Sequence, residues 1–244
     1  FVDQETIFEV PVQAHLHRGW HFGSRFSFAD GYVFFSIGDA GYPELAQQLN
    51  QASGKIHRLH EDGKIPADNP FVNVEGALPS IWSFGHRNPQ GLVYDTSTKT
   101  LWESEHGPRG GDEINVIEKG KNYGWPVITY GMNYDGTPVS DKTHQAGMEQ
   151  PKHYWTPSIA VSNIDVYSGS VFTKWKGHLL VSSLSAQELR LVKTAGETIN
   201  SDEVLIKNIG RIRDVQTNTH GDIYLIVNNE SEKKFQVLQL IKES

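Results

Sequence analysis

The sequence predicts an all-β fold, and three features of the 244-residue chain carry that expectation. The chain holds 23 Gly and 11 Pro together with 11 Phe, 9 Tyr and 6 Trp, against only 2 Met. That balance suits strands and tight turns better than helices. Apolar residues rarely recur at helical spacing; the best candidate, residues 43–51 with Leu45 and Leu49 four apart, is about two turns long. Short apolar runs cut by Gly, Asp, Asn or Pro fill the rest.

The runs repeat. A turn followed by an aromatic-rich or aliphatic strand recurs at residues 31–37, 98–104, 176–182 and 221–227. Each is preceded by a strand that ends in the turn (25–29, 91–95, 170–173, 212–216) and followed by one of alternating character (55–59, 113–118, 188–193, 235–241). A further strand leads into each unit, at 6–10, 81–84, 160–166 and 203–209. Four units of four antiparallel strands, joined by unequal loops, predict a single β-propeller domain over residues 1–244. A sandwich would not repeat this order four times.

Composition excludes several classes. At 37% hydrophobic and 21% charged residues the chain is too apolar for a disordered segment. No run approaches the ~20 apolar residues of a spanning helix. A net charge of −7 argues against a nucleic-acid backbone as the main partner. Zero Cys removes disulfides, thiolate zinc sites and Cys nucleophiles, and suits an oxidising compartment without requiring one. Residues 1–10 carry Asp3, Glu5 and Glu9 and no basic residue, so they do not read as a signal peptide.

Propellers carry their sites on the loops between strands, and several loops here are dense in chemistry. Gly85-His86-Arg87-Asn88-Pro89-Gln90-Gly91 places a cation, two amides and an imidazole between glycines. Arg offers five fixed donors for planar oxygens, and Pro89 stiffens the loop. Glu105-His106-Gly107-Pro108-Arg109-Gly110-Gly111-Asp112-Glu113 combines exposed carbonyls with acids, oxygen donors that suit calcium rather than zinc; Glu113 can equally be a solvated acid at a strand start. His21 lies at the entry to the first unit, where a neutral imidazole can act as a general base. Asp39 follows strand 31–37, whose hairpin partner follows His21. The two hairpin ends therefore lie side by side, and Asp39 can fix the imidazole tautomer. A His–Asp pair without a nearby nucleophile favours proton abstraction over acyl transfer. Arg211 and Arg213 alternate onto one face of a strand start and suit an anion, unless Asp214 neutralises one.

These runs, with Asn122-Tyr123-Gly124-Trp125-Pro126, Gly54-Lys55-Ile56, Trp155-Thr156-Pro157-Ser158 and Arg211-Ile212-Arg213-Asp214, resemble the soluble PQQ-dependent aldose sugar dehydrogenases, the glucose/sorbosone dehydrogenase family of six-bladed propellers. The resemblance runs over essentially the whole chain, with about four blades present. It implies that an aldose is oxidised at its anomeric carbon to a lactone, with PQQ and calcium as cofactors, in a periplasmic or secreted setting. His21 would take the hydroxyl proton, Asp39 would orient it, and Arg87 would polarise a quinone oxygen. Asn88 and Gln90 would line the cofactor, and Tyr134, Trp155, Ser158, Arg211 and Arg213 would hold its faces and carboxylates. The carbonyls of Gly107 and Pro108 would ligate one calcium; Glu113 and the backbone of Tyr123 would form a second, structural site. The implied partners are a small sugar and an electron acceptor.

Three departures bear on affinity and substrate choice: Trp20 stands where the family usually has a small polar residue, Ser24 replaces a usual Gly, and residues 183–185 lack a Lys found in some members. Roughly a hundred N-terminal residues expected of the family have no counterpart, so the chain reads as an N-terminally truncated piece with a partial cofactor pocket. A non-catalytic propeller binding module is the main alternative, although it has no need of His21, Arg87, Arg211 and Arg213 together. A calcium-dependent lactone hydrolase would need several acids and an Asn converging on one ion, a set that spacing does not assemble.

Overall fold

A computed structural model of the chain describes residues 3–10, 18–229 and 232–242. The described residues form four antiparallel sheets, each with its strands in sequential order, and two short 3-10 helices at Pro43–Gln47 and Thr173–Trp175. Sheet 1 is β1 (Gly23–Ala29), β2 (Tyr32–Ile37), β3 (Lys55–His60) and β4 (Ile81–Phe84). Sheet 2 is β5 (Pro89–Asp95), β6 (Thr100–Glu105), β7 (Asp112–Val116) and β8 (His153–Trp155). Sheet 3 is β9 (Val161–Val166), β10 (Leu179–Ser183), β11 (Glu188–Ala195) and β12 (Thr198–Lys207). Sheet 4 is β13 (Arg211–Thr217), β14 (Ile223–Asn229) and β15 (Lys234–Leu240). The fold is all-β, and its sheets are propeller blades.

The blade boundaries differ from the sequence reading. Residues 81–84 close sheet 1 by pairing with β3, and residues 203–209 fall largely within β12, which closes sheet 3. These two strands, expected to open units, are thus the last strands of the preceding blades, whereas residues 161–166 form β9 and open sheet 3 as expected. Residues 6–10 are not a strand, and their Phe8 ring packs edge-on against Phe35. Residues 170–173 are not a strand either: the Phe172 amide donates to the Tyr167 hydroxyl, and its ring stacks on Trp175 at 4.3 Å. Local aromatic packing there overrides the extended pattern. The 43–51 helix shortens to the 3-10 turn Pro43–Gln47. Among the described residues sheet 4 has three strands, not four.

The chain divides into two compact units. Residues 1–89, 117–129 and 140–150 form the first, and residues 90–116, 130–139 and 151–244 the second. In the second unit, sheet 3 is packed on both faces, which is why every residue of β10 is buried. Leu179 and Val181 point to one side, joining Trp102, Ile114, Val116 and Trp155 of sheet 2. Leu180 points to the other, joining Ile212, Val215, Ile223 and Leu225 of sheet 4. Period-two alternation makes both contacts from one strand.

In the first unit the Asp30-Gly31 pair turns β1 into β2, with both residues at positive φ (52° and 80°), the geometry of a tight hairpin turn. Val33, Phe35 and Leu59 are packed by Phe8 and Ile37. His57 lies among them, wholly buried. Its Nε2 bonds the Ala52 carbonyl at 3.0 Å, its Nδ1 bonds the Ser80 hydroxyl at 3.0 Å, and its ring stacks on Phe35. A neutral ring satisfies both partners, one nitrogen donating and the other accepting. Burial pulls the His57 pKa down to about 4.

The unfolded chain therefore protonates this imidazole before the folded chain does. The stability it confers is present above pH ~6.5 and lost as pH falls towards 4, a loss of about 3 kcal/mol. Urea melts at pH 7 and 4.5 should show that loss, and His57→Gln should remove most of the difference between the two pH values.

Candidate active site

The described groups of the first unit converge on the hairpin of β1 and β2. His21 precedes β1 in the left-handed region (φ 55°), and its carbonyl accepts the Ala40 amide at 3.3 Å. Gly38 follows β2, and its amide donates to the Phe22 carbonyl at 3.2 Å. A Cβ on Gly38 would lie 2.0 Å from the His21 carbonyl oxygen, so the hairpin ends approach this closely only with glycine there.

Asp39 comes next and is fully buried. Its Oδ1 accepts from His21 Nδ1 and from the Gly41 amide, both at 2.7 Å, and its Oδ2 accepts from Trp125 Nε1 at 2.8 Å. A carboxylate offers only acceptors, so Nδ1 carries the hydrogen and Nε2 keeps its lone pair. The His21 side chain is 21% exposed and Asp39 is not exposed at all. The imidazole is therefore open to solvent and the carboxylate is not.

Arg87 and Asn88 are buried beside this pair in the chain's hydrogen-bond pattern. The Arg87 carbonyl accepts the Asp39 amide at 2.8 Å, and its guanidinium lies 5.3 Å from the Trp125 ring centroid. Asn88 Oδ1 accepts the Gly23 amide at 3.2 Å, so this side chain holds the start of β1. Tyr123 is buried in the same unit; its amide donates to the Phe84 carbonyl and its ring stacks on His86 at 4.7 Å.

In the second unit Asp112 organises the loop that sequence reasoning assigned to calcium. It is fully buried and accepts from the Gly107 amide, the Ser158 hydroxyl and the Val161 amide. Ser158 is thereby committed to loop positioning through Asp112. Pro108 is buried, and the turn is fixed further by Gly111 donating to the Trp155 carbonyl at 2.7 Å. Trp155 is buried, and its Nε1 donates to Asp202 at 2.8 Å. Tyr134 is 73% exposed on the 130–139 loop, which pairs with the 107–111 turn through Arg109 and Met132. Gln90 is the second residue of β5 and is half-buried. Arg211 is half-buried and Arg213 exposed, and a bulge between Ile212 and Asp214 interrupts the expected alternation between them. Asp214 accepts the Asn163 side-chain amide.

Glu113 is no lone solvated acid. It sits opposite Glu105 across β6 and β7, and Glu103 sits opposite Asn115 two residues along. Glu103 and Glu105 are buried. Asn115 Nδ2 donates to Glu103 at 3.0 Å and Glu113 at 3.4 Å, while Glu103 Oε1 and Asn115 Oδ1 are buried without a hydrogen-bond partner. Burial, and then the Glu105 charge, push the Glu103 and Glu113 carboxyls well above the usual range. Such a hard-oxygen set suits a divalent cation. Glu103 and Asp202 escaped the sequence reading, which named Glu105 and Asp112 only as acids of the calcium-suited loop and Trp125 only within a motif run. The only local signal was two acids, i and i+2, inside the otherwise strand-like run Leu101-Trp102-Glu103-Ser104-Glu105.

Ser24 occupies a left-handed conformation (φ 77°) while exposed. This conformation favours the glycine seen at that position in the resembled family. Ser24→Gly should stabilise the chain by about 1 kcal/mol in urea melts, the relieved strain exceeding the added unfolded-state entropy. A loss of stability would show that the conformation carries no strain.

Blades of sequential antiparallel strands, with buried polar groups gathered on the connecting loops, define a β-propeller protein. The chain belongs to the glucose/sorbosone dehydrogenase family, whose model matches residues 1–239. It is similar to the aldose sugar dehydrogenase YliI of Escherichia coli K12, at 40% identity over 239 residues covering 96% of this chain and 64% of that protein. It is also similar to quinoprotein glucose dehydrogenase B of Acinetobacter calcoaceticus, at 30% identity over 273 residues covering 81% of this chain and 56% of that one. Among solved structures, the apo form of the soluble aldose sugar dehydrogenase from E. coli matches with a TM-score of 0.81 at 39% identity, over 86% of this chain and 62% of that one. The PQQ-bound aldose sugar dehydrogenase of Streptomyces coelicolor matches with a TM-score of 0.73 at 25% identity, over 90% and 61%. The chain thus spans less than two thirds of the length of these relatives.

Proposed function

We propose that this chain carries the base of a PQQ- and calcium-dependent aldose dehydrogenase that oxidises the anomeric carbon of a sugar to the lactone. The observation that carries this reading is the His21–Asp39 pair, a reachable imidazole locked to a buried carboxylate at 2.7 Å. His21 Nε2 takes the proton of the anomeric hydroxyl, and Asp39 holds the ring while it carries the added charge. PQQ, when bound, supplies the two-electron acceptor for the hydride of that carbon. In the first unit, the buried Arg87 and Asn88 bring a planar cation and an amide to quinone oxygens. In the second, Arg211 and Arg213 offer cations to carboxylates, Trp155 a ring face, and Gln90 and Tyr134 further polar contacts. The Asp112-held turn presents the Gly107 and Pro108 carbonyls for one calcium. Glu103, whose Oε1 is buried without a hydrogen-bond partner, and Glu113 on the neighbouring strand suit a second, structural ion. An electron acceptor and a periplasmic or secreted location belong to the same reading; among the described residues no helix is long and apolar enough to cross a membrane.

Absorbance titration with PQQ and calcium, followed by aldose and a dye acceptor, tests it. His21→Gln should retain PQQ binding while turnover falls by ~10²–10⁴. Sugar oxidation at the parental rate would remove His21 from the base role.

Calcium has a separate test. Excess EDTA should lower the melting temperature by roughly 5–10 °C, the effect of about 3 kcal/mol of ion binding in a chain of this size. Unchanged melting would rule out the structural ion.

A further inference from the structure

Asp39 is bonded at both oxygens, and only one of them serves the base. His21 Nδ1 and the Gly41 amide use Oδ1, whereas Oδ2 is held by the Trp125 indole at 2.8 Å. Rotation of the carboxylate about its Cβ–Cγ bond would break the bond to His21. Opposing that rotation needs a donor on the other oxygen. The indole supplies one that is neutral, rigid and donor-only, so it fixes the carboxylate without supplying a competing acceptor for His21.

The indole is itself firmly held. Trp125 is buried, its amide donates to the Gly85 carbonyl at 2.9 Å, and its carbonyl accepts Gln47 Nε2 at 2.7 Å. Gln47 exchanges a second pair of hydrogen bonds with the side chain of Asn122, at 3.0 and 2.8 Å, which closes the loop that presents Trp125. The ring also has a second client, because the Arg87 guanidinium lies 5.3 Å from its centroid. One side chain therefore touches both the orienting acid of the base and the cation assigned to the quinone.

We propose that Trp125 is a positioning residue, which holds Asp39 in the rotamer that fixes the His21 tautomer and sets the place of Arg87 against the same ring. The proposal rests on the reading of His21 as the base, but its geometry can be tested without cofactor or sugar. In the ligand-free chain, nitrogen-15 NMR of the neutral imidazole should show His21 as a single Nδ1-protonated tautomer. Trp125→Phe, which keeps an aromatic ring and deletes the N–H, should convert it to a mixture of tautomers. Asp39→Asn gives the reciprocal readout: the Trp125 indole N–H resonance should move and its slow solvent exchange should accelerate.

In the PQQ-loaded enzyme, Trp125→Phe should lower kcat about 10–100-fold, a fraction of the His21 effect, with KM for the aldose changed less than about 3-fold. A folded Trp125→Phe chain whose His21 tautomer and kcat match the parent overturns the proposal. If that variant does not fold, an indole resonance indifferent to Asp39→Asn overturns it instead. Tautomer mixing in a chain that never oxidises sugar would uphold the geometry and sink only the catalytic reading.

Discussion

A carboxylate taken fully out of water must be met by donors, and Asp39 shows how much structure that requirement commands. The three donors to its carboxylate come from residue 21, the backbone of residue 41 and residue 125, and its own amide is spent on the Arg87 carbonyl. Each contact needs the chain somewhere specific. Gly38 must lack a side chain for the hairpin ends to close, His21 and Ala40 must adopt positive φ, and the loop carrying Trp125 must fold back over the 3-10 turn that holds Gln47. Leaving one donor out would strand a buried charge, at a cost of the order of 1–3 kcal/mol or more. The geometry of the His21–Asp39 pair follows from satisfying this one acid.

The second unit repeats the device and also breaks it. Asp112 is met by two amides and a hydroxyl, and Asp202 by Trp155 and Arg190, so both acids tie loops to strands. Desolvation opposes ionisation of Asp202, yet the His153 ring at 3.5 Å and the hydrogen bonds from Arg190 and Trp155 outweigh it and hold its pKa well below the usual range. Around Glu103 the donors run out. The one Asn115 amide group serves both Glu103 and Glu113, and burial drives these two carboxyls the other way. Acids met by protein donors act as structural pins, whereas Glu103 keeps one buried oxygen without a hydrogen-bond partner.

Legibility in the sequence follows the range of the interaction. Strands flanked by tight turns could be read from period-two alternation and turn residues, and Asp39 could be paired with His21 because a hairpin fixes which residues face each other. The Trp125 indole joins the same acid across 86 positions of sequence, and no local pattern announces that contact. Blade boundaries failed for a related reason: β8 is three residues long, too short for any periodicity, and lies beyond a long irregular segment. Residues 170–173 carried extended character but yielded to the Tyr167, Phe172 and Trp175 cluster. The Glu103 and Glu105 pair was visible as letters, yet its meaning depends on Glu113 arriving opposite in register, which only strand pairing supplies.

The placement of strain completes the picture. His21, Ser24 and Ala40 all hold left-handed backbone within or beside one hairpin, conformations that cost of order 1–3 kcal/mol each. The same hairpin belongs to a sheet whose inner strands are buried, with Val33, Phe35 and Leu59 in van der Waals contact and β2 and β3 in uninterrupted register over six pairs. An unstrained hairpin end would let the chain continue as regular strand, directing His21 along the pleat instead of across to Asp39. The sheet thus holds an unfavourable local geometry that the site requires. The strain is tolerated there because the ladder beneath it cannot slip by one residue without turning its apolar face to water.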